Sequence, residues 1–204
     1  MNLLRKFDLN ALVLDVGGGD RALDLPGYVN LDVDRSTKPV VLGDAHHLPF
    51  VENTFDVIIS QSVIEHVRKP WVVADEIYRV SKKGGYVYVE SGFMQPLHDC
   101  PGHFFNTTKE GLRLLFDNFH EISSGVQPHQ MPSQAILWFL IEVIYGAFPN
   151  LALFSKSSSE SYVAKSNKHI RALLASIFSA YDRLVDKRRA EFIAAGVYYL
   201  GEKQ

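Results

Sequence analysis

Three consecutive glycines follow a short β-branched stretch near the start of the chain, a pattern typical of a ligand-binding loop. The segment reads LVLDVGGGDRA, with Asp15 inside the apolar stretch and Gly17, Gly18 and Gly19 at its end. Glycine lets the backbone approach a ligand where any Cβ would clash. The spacing of Gly17, Gly19 and Ala22 also fits a dinucleotide fingerprint, so the loop alone does not distinguish between nucleotide cofactors.

Carboxylates further along the chain narrow the choice of ligand. Asp32 ends a second predicted strand, where an acceptor-only carboxylate can bind both ribose hydroxyls of a nucleoside, and Asp34 is the reserve candidate. In the segment GDAHHLPF, Asp44 is suited to bind an exocyclic amine, and Ala45 leaves room for an adenine ring. A dinucleotide enzyme does not usually need this second carboxylate.

Histidines in two later segments are candidates for moving a proton. His66 lies in IEHV, and His98, Asp99 and His103 lie in MQPLHDCPGHFF. Histidine is a reasonable proton acceptor for a hydroxyl or an amine near neutral pH, so we predict these four residues as catalytic. For His66 the alternative of capping a helix and bonding a loop is equally open. No metal site is predicted, because a closed zinc site normally shows paired Cys or His at recognised spacings.

The elements that must position these residues alternate between strands and helices, which is typical of a parallel α/β sheet. The third predicted helix has a capping-box signal, with Thr107 three residues before Glu110. The predicted strands are Leu12–Val16, Tyr28–Val33, Val40–Gly43, Asp56–Ser60, Tyr86–Glu90, His120–Ser123 and Gly196–Leu200, and the predicted helices between them are 62–67, 69–80 and 108–118.

Residues 128–192 interrupt this alternation. They contain an apolar helix at 135–148, a Ser-rich loop at 155–161 and a long amphipathic helix from Ile170. Because a strand follows, we predict a helical insertion between the last two strands of a single domain spanning 1–204. The apolar helix has three open roles, namely core packing, a homodimer face, or contact with an apolar substrate or a membrane surface.

Composition excludes several classes of protein. The chain has 204 residues, of which 47% are hydrophobic, and a single cysteine, so we predict a globular domain in a reducing, cytoplasmic compartment. Residues 151–204 hold nine Lys/Arg against five Asp/Glu, a surplus too small to predict nucleic-acid binding but compatible with an anionic or lipid-linked acceptor. The N-terminus lacks signal-peptide features, and the most apolar stretch falls short of the roughly 20 residues that span a bilayer.

Five segments in order resemble the class I S-adenosylmethionine-dependent methyltransferases, in their small-molecule, type 11-like branch. They read VLDVGGGD, NLDVD, GDAHHLPF, FDVIISQSVIEHV and KKGG. The resemblance covers about residues 11–127 and the last strand. It implies a Rossmann-like α/β fold whose seven-stranded sheet is mostly parallel, with helices on both faces and an antiparallel last strand. It also implies S-adenosylmethionine as the methyl donor and S-adenosylhomocysteine as the product.

The resemblance further implies a role for each candidate residue in binding the cofactor. Arg21 stands where the family has a third glycine, and the short segment RALDLPG leaves room for only a turn or two of the usual first helix. The implied roles are the methionine part for Asp15, Gly17, Gly18 and Gly19, the ribose for Asp32, the adenine for Asp44 and Ala45, and the floor near the sulfonium for Ser60 and Gln61.

The predicted function is therefore in-line methyl transfer to a hydroxyl, amine or carbon of a small molecule, which positioning can accelerate without a strong base. The segment SQSVIEHV lacks the Asn/Asp-Pro-Pro-aromatic run used for amide or base amino groups, which disfavours adenine and glutamine methylation. Two alternatives remain, a non-catalytic binding or partner module with the same fold and a NAD-dependent oxidoreductase. The second would need a catalytic Tyr and Lys pair, and no convincing one is found.

Overall fold

A seven-stranded sheet forms the centre of the computed structural model, which describes residues 11–98, 102–147, 154–155, 165–166 and 176–204. In chain order the strands are β1 (Val13–Val16), β2 (Tyr28–Asp32), β3 (Val41–Leu42), β4 (Phe55–Gln61), β5 (Ser81–Gly92), β6 (His120–Gly125) and β7 (Gly196–Glu202). Their order across the sheet is β3-β2-β1-β4-β5-β7-β6. The first five strands are parallel, and β7 is antiparallel to both β5 and β6. The predicted mostly parallel sheet with an antiparallel last strand is confirmed.

The strand order reverses at β1, and this reversal creates the crevice that holds the site. The chain leaves β1 toward β2 on one side and later returns as β4 on the other. Val16, the last residue of β1, pairs with Leu31 in β2 and with Ser60 in β4. The loops after these three strands therefore leave the same edge of the sheet, where open α/β sheets bind their ligands.

Two helices cover one face of the sheet and form the main hydrophobic core with it. They are α1 (Pro70–Val80), which begins at a proline as helices often do, and α2 (Lys109–Leu115). Helical spacing on α1 buries Val73, Ile77 and Val80 together. These side chains pack in one cluster with residues of the central strands, including Leu14, Val16, Ile58, Val87 and Val89. The core thus packs beneath the strand ends that form the crevice.

Three local predictions between β1 and α2 were wrong. Residues 17–27 contain turns and no helix, because the segment between β1 and β2 is too short for one. The predicted helix at 62–67 is a single 3-10 turn, Ile64–His66. The N-cap of α2 is Thr108, whose side chain accepts a hydrogen bond from the Gly111 N–H, and not Thr107, whose own N–H bonds the Gly92 carbonyl at the end of β5.

Strand β5 begins five residues earlier than predicted, because the segment KKGG is an irregularity within the strand. Ser81 pairs with Phe55, and the register shifts before Val57 pairs with Tyr86. Gly84 has a φ of +72°, which a glycine adopts readily. The segment KKGG is therefore a bulge inside the strand.

Between β6 and β7 the structure describes three helices and one short strand pair. The helices are α3 (Pro132–Ala147), α4 (residues 176–182) and α5 (Lys187–Ile193), and the strands are Phe154–Ser155 and Lys165–Ser166. The strand pair was not predicted, and the predicted start of the long helix at Ile170 lies outside the described residues. Within the parts of the chain that the structure covers, no helix is long and apolar enough to cross a membrane.

Candidate active site

A cavity of about 540 Å³ opens at the carboxyl ends of β1 to β4. Of the residues predicted to bind the cofactor, five lie in its lining, namely Gly17, Gly19, Asp32, Asp44 and Ala45. His66 from the predicted catalytic group also lines it. The remaining lining residues are Leu31, Val33, Asp34, Thr37, Gly43, His46, Ser62, Val63, Val67, Arg68 and Phe104.

The glycine loop is shaped by close packing on two sides and is open on the third. A Cβ on Gly17, which has a φ of +68°, would lie 2.3 Å from a methyl group of Val63. A Cβ on Gly18 would lie 2.8 Å from the Asn30 side-chain oxygen, so Gly18 is packed inward and does not line the cavity. Gly19 has a φ of +58°, and a Cβ added there would have no atom within 4 Å. The space beside Gly19 is therefore open to a ligand.

Asp15 lies behind the loop and not in the cavity lining. Its carboxylate is fully buried and accepts hydrogen bonds from the Arg21 guanidinium at 2.7 and 3.0 Å and from the Tyr28 hydroxyl at 2.7 Å. Burial raises the pKa of Asp15, although Tyr28 and Arg21 act in the opposite direction. Arg21, which stands where the family has a third glycine, is therefore part of a polar cluster that supports the loop.

Asp32 connects the glycine loop to the turn after β2. One carboxylate oxygen accepts a hydrogen bond from the Gly19 N–H at 2.8 Å, and the other accepts from the Asp34 N–H at 2.8 Å. Asp34 caps the following 3-10 turn by accepting from the N–H and the hydroxyl of Ser36, and these bonds lower the pKa of Asp34. The two carboxylates thus lie in the same lining, but Asp34 is more fully used by its own turn.

Asp44 and His46 form a close pair on the other side of the cavity. The Asp44 carboxylate accepts hydrogen bonds from the His46 N–H at 2.9 Å and from its ring Nδ1 at 2.6 Å. Burial acts to raise the pKa of Asp44, but the hydrogen bonds from His46 outweigh it, and the pKa lies below its ordinary value. Asp44 therefore stays a carboxylate, as binding an exocyclic amine requires.

The loop that carries Asp44 is fastened to α1 by an ion pair that sequence reasoning missed. Glu76 accepts a hydrogen bond from the Leu48 N–H at 2.7 Å and from Arg79 at 2.7 and 2.8 Å. Arg79 in turn donates to the carbonyls of Leu48 and Phe50. The i, i+3 spacing of Glu76 and Arg79 on a helix was the available signal, although it does not reveal the loop they hold.

Ser60 and Gln61, predicted as the floor near the sulfonium, are not in the cavity lining. Ser60 is fully buried, and its hydroxyl is one of two buried side-chain polar atoms without a hydrogen-bond partner among the described residues. The next two residues, Ser62 and Val63, line the cavity instead. Ser62 has a φ of +57°, a strained conformation for a residue with a side chain.

The predicted catalytic histidines lie together, and of the three only His66 lines the cavity. The His66 ring centroid is 4.9 Å from that of His98 and 5.6 Å from that of His103, and the last two are 4.3 Å apart. The His66 Nδ1 bonds the Gly102 carbonyl at 2.7 Å, so His66 does hold the loop as the alternative interpretation expected. Asp99 lies outside the described residues.

His98 and His103 differ in how their ring nitrogens are used. The His98 Nδ1 bonds the Pro96 carbonyl at 3.1 Å, and the ring packs against Trp138 of α3 with centroids 5.0 Å apart. Burial lowers the pKa of His98, and the nearby His103 and His66 act in the same direction. In His103, Nδ1 accepts from the His98 backbone N–H, and Nε2 bonds Asn106 at 2.8 Å. His103 is therefore committed to holding the loop.

Glu65 is a further polar residue of this cluster, and sequence reasoning did not single it out. It is only 1% exposed, and its carboxylate accepts from the Ser91 hydroxyl at 3.2 Å and the Gly92 N–H at 3.1 Å. Its backbone carbonyl accepts from the Phe104 N–H at 2.7 Å. Its place beside His66 in the sequence was the available signal.

The lining fits an adenosyl cofactor on two observations. The space beside Gly19 that a Cβ would fill is open, which allows the backbone to approach a ligand closely. Asp32 and Asp44 lie in one lining at the ends of β2 and β3, which are neighbouring strands. Two carboxylates can accept hydrogen bonds from ribose hydroxyls and from an exocyclic amine.

Comparison with known proteins finds similarity to methyltransferases. Residues 15–89 match the family model described as a methyltransferase domain. An uncharacterised methyltransferase of Mycobacterium tuberculosis is 31% identical over 93 aligned residues, which cover 37% of each chain. The chain covers less than two-fifths of the length of the first curated relatives it matches.

Solved structures with the same fold carry more than one activity. The cyclase SpnF has a TM-score of 0.55 and 15% identity, covering 95% of this chain and 75% of its own. Phosphoethanolamine N-methyltransferase 2 of Haemonchus contortus, in complex with phosphomonomethylethanolamine and S-adenosylhomocysteine, has a TM-score of 0.53 and 17% identity, covering 98% and 52%. At these identities the likeness concerns the fold alone. The family match over residues 15–89, the relatives and the sheet order together show that the chain is similar to class I S-adenosylmethionine-dependent methyltransferases.

Proposed function

We propose that the protein binds S-adenosylmethionine in the cavity and that a methyl group is transferred to a hydroxyl, amine or carbon of a small-molecule acceptor. The observation that carries this proposal is the joint presence of Asp32, Asp44 and the open side of Gly19 in one cavity. Bound S-adenosylmethionine supplies an electrophilic methyl group, and S-adenosylhomocysteine is the expected product.

Each part of the lining has a proposed role toward this cofactor. Asp32 binds the ribose hydroxyls, Asp44 binds the adenine amine, and Ala45 leaves space for the ring. Gly17 and Gly19 bring the backbone close to the methionine part. Asp15 and Gly18 act indirectly as positioning residues, because both are buried behind the loop.

On the acceptor side, His66 lines the cavity and the His98 ring packs against it, with centroids 4.9 Å apart. In each neutral ring Nδ1 is the donor to a carbonyl, so Nε2 carries the lone pair that can accept a proton from the acceptor. Positioning of the acceptor supplies much of the acceleration in an in-line displacement. The roles of Asp99 and His103 in this chemistry stay predictions.

The acceptor pocket favours an anionic acceptor with an apolar part. Arg68 lines the cavity with its guanidinium 5.2 Å from the ring of Phe104, another lining residue. Trp138 brings α3 next to His98. A lipid-linked acceptor fits this combination. The proposal includes a homodimer or a peripheral membrane contact through the exposed side of α3. It also includes a cytoplasmic location, which the single cysteine supports.

A non-catalytic module with this fold is the second candidate, and one observation favours it. Arg21 occupies the position of the third glycine and pairs with Asp15, so the loop departs from the family pattern at a point where cofactor contacts are expected. The intact carboxylates Asp32 and Asp44 favour the enzyme, because both line the cavity and can accept hydrogen bonds from ribose hydroxyls and an exocyclic amine.

Production of S-adenosylhomocysteine tests the choice between the two. The purified chain is incubated with S-adenosylmethionine and separate sets of hydroxyl, amine and activated-carbon acceptors, with and without an anionic group. We expect one set to raise the rate above that without acceptor. At subsaturating S-adenosylmethionine, Asp32→Ala should lower this increase strongly, whereas the exposed control Asp20→Ala should keep it. If no set raises the rate while S-adenosylhomocysteine still binds, the non-catalytic module becomes the better account.

A further inference from the structure

The cluster of Glu65, His66 and His98 has the composition of a metal site. One potential ligand atom from each residue lies within 4.8 Å of the other two. Ligand atoms about 2.1 Å from an ion lie roughly 3–3.5 Å apart, so binding an ion would draw the three groups slightly together. Two imidazoles and one carboxylate are a ligand set that zinc and iron(II) use where coordination positions are left open.

Backbone hydrogen bonds orient both imidazoles for this role. Nδ1 of His66 bonds the Gly102 carbonyl at 2.7 Å, and Nδ1 of His98 bonds the Pro96 carbonyl at 3.1 Å. Metal-binding histidines usually donate their second ring N–H to a carbonyl or carboxylate, which fixes the tautomer and the ring orientation. Both rings therefore present Nε2 as the ligand atom. His103 is excluded as a ligand, because both of its ring nitrogens are engaged.

The burial of the Glu65 side chain gives an independent reason for a cation. Its side chain is buried, and within the described residues it has hydrogen bonds from Ser91 and Gly92 but no ion pair with Lys or Arg. A buried carboxylate is costly unless a cation or several hydrogen bonds compensate it. A divalent ion bound by the two neighbouring histidines would supply the missing charge.

We propose that Glu65, His66 and His98 bind one divalent transition-metal ion of the zinc class at the acceptor end of the cavity. The ligand set disfavours Mg²⁺ and Ca²⁺, which prefer oxygen ligands only. Three protein ligands leave at least one position open, and His66 itself lines the cavity. We expect the open position to bind an oxygen or nitrogen of the methyl acceptor, and this part rests on the function proposed above. Binding of the ion itself does not depend on that function. A bound ion would activate the acceptor as a Lewis acid, in place of the free imidazoles.

Titration of the chelator-treated full chain with ZnCl₂, and with CoCl₂ as a spectroscopic probe, tests the site. We expect the wild type to bind one ion per chain. In His98→Ala and in Glu65→Gln the binding should be lost or weakened at least about tenfold. His129→Ala is the matched control, since His129 is an exposed histidine elsewhere, bonded to Glu90. The Co²⁺ absorption bands should disappear in the two ligand variants and stay in the control.

Two further arms make the result decisive. Cys100→Ser removes the single thiol of the chain, and retained binding in this variant assigns the ion to the histidines and the carboxylate. S-adenosylhomocysteine is titrated into every variant, so that an intact donor site shows both correct folding and the survival of the proposed function. Equal Zn²⁺ binding in wild type and His98→Ala, loss of binding in Cys100→Ser, or no binding by the wild type would overturn the metal site.

Discussion

Asp32 is central to the proposed site, because its two carboxylate oxygens bond two different parts of the cavity lining. One accepts from the Gly19 N–H and the other from the Asp34 N–H, each at 2.8 Å. Each carboxylate oxygen has a second lone-pair site, so these bonds still leave acceptor capacity for ribose hydroxyls. The same side chain therefore shapes the loop and can serve the ribose-binding role proposed above.

Replacement of Asp32 by alanine should weaken binding of S-adenosylhomocysteine by about tenfold to hundredfold. Hydrogen bonds to a charged group contribute roughly 1.5–3 kcal/mol, and the loop would lose its anchor at Gly19 as well. Calorimetric titration measures the change, and Asp20→Ala, an exposed carboxylate of the same loop, serves as the matched control. Unchanged affinity in Asp32→Ala would refute its ribose role.

At the level of single residues, strand-end carboxylates and glycines were predictable, but the direction of neighbouring side chains was not. Asp32 and Asp44 lie in the lining as expected, whereas Asp15 and Ser60 are fully buried within strands. Side chains alternate between the two faces of a strand, and the motif alone does not say which one reaches the crevice. The hydrogen bonds of Glu65 could not be predicted, because its partners Ser91 and Gly92 are distant in sequence.

Helix α1 positions the Asp44 side of the cavity through its outer surface. Glu76 and Arg79 together make four hydrogen bonds to the backbone or to each other around Leu48, and a fifth reaches Phe50. Both side chains are only partly buried, so the contribution of each bond is reduced by solvent. The loop that carries Asp44 is nevertheless fixed at its far end by this pair.

Substitution of Glu76 by glutamine should loosen that loop and lower cofactor affinity severalfold. We expect the free energy of cofactor binding to weaken by about 1 kcal/mol, since the ion pair with Arg79 disappears while the shape of the side chain is kept. Faster hydrogen exchange at the Leu48 amide, together with weaker binding of S-adenosylhomocysteine, would show the effect. Asp75→Asn, an exposed carboxylate on the same helix, should change neither quantity; equal behaviour of the two variants would remove the anchoring role.

The stabilising effect of Glu76 should also depend on pH. Hydrogen bonds from Arg79 lower the pKa of Glu76, against the opposing effect of burial. A carboxylate with a lowered pKa in the folded state stabilises the fold fully above its ordinary pKa, and this contribution is lost as the pH falls through the lowered value. Denaturant unfolding of wild type and Glu76→Gln across acidic pH should therefore converge. A difference that stays constant would contradict the expected linkage.

Among the secondary-structure elements, the sequence predicted the seven strands and the two core helices but missed several local features. The 3-10 turn at Ile64–His66 and the bulge at KKGG depend on contacts with distant segments, such as the bond from the Gly84 N–H to the Lys203 carbonyl. The cap at Thr108 differs by one residue from the predicted cap, because Thr107 is held by β5. Such choices are made by tertiary contacts and not by local spacing.

For the whole molecule, the C-terminal strand joins distant parts of the fold. Lys203, directly after β7, is only 7% exposed and donates hydrogen bonds to Asn53 and to the carbonyls of Tyr78 and Ser81. Its ammonium group also lies 4.3 Å from the centroid of the Tyr78 ring. The end of the chain is thereby linked to α1 and β5, which together support the crevice.

Removal of this ammonium group should destabilise the whole domain. Lys203→Met keeps the length of the side chain but leaves buried carbonyls without their donor, at an expected cost of about 1–3 kcal/mol. Urea unfolding measures it, with Lys83→Met at an exposed position of β5 as the control. Matching midpoints for the two variants would show that Lys203 does not link these elements energetically.

The central claim is that the cavity binds an S-adenosyl cofactor and not a dinucleotide. The fold alone does not decide this, since the neighbours with the same fold include a cyclase as well as a methyltransferase. Calorimetric titration of the cofactor-stripped protein with S-adenosylhomocysteine, with NAD in parallel, tests it most directly. We predict micromolar binding of S-adenosylhomocysteine and none of NAD. Binding of NAD alone, or of neither compound, would contradict the proposed donor site.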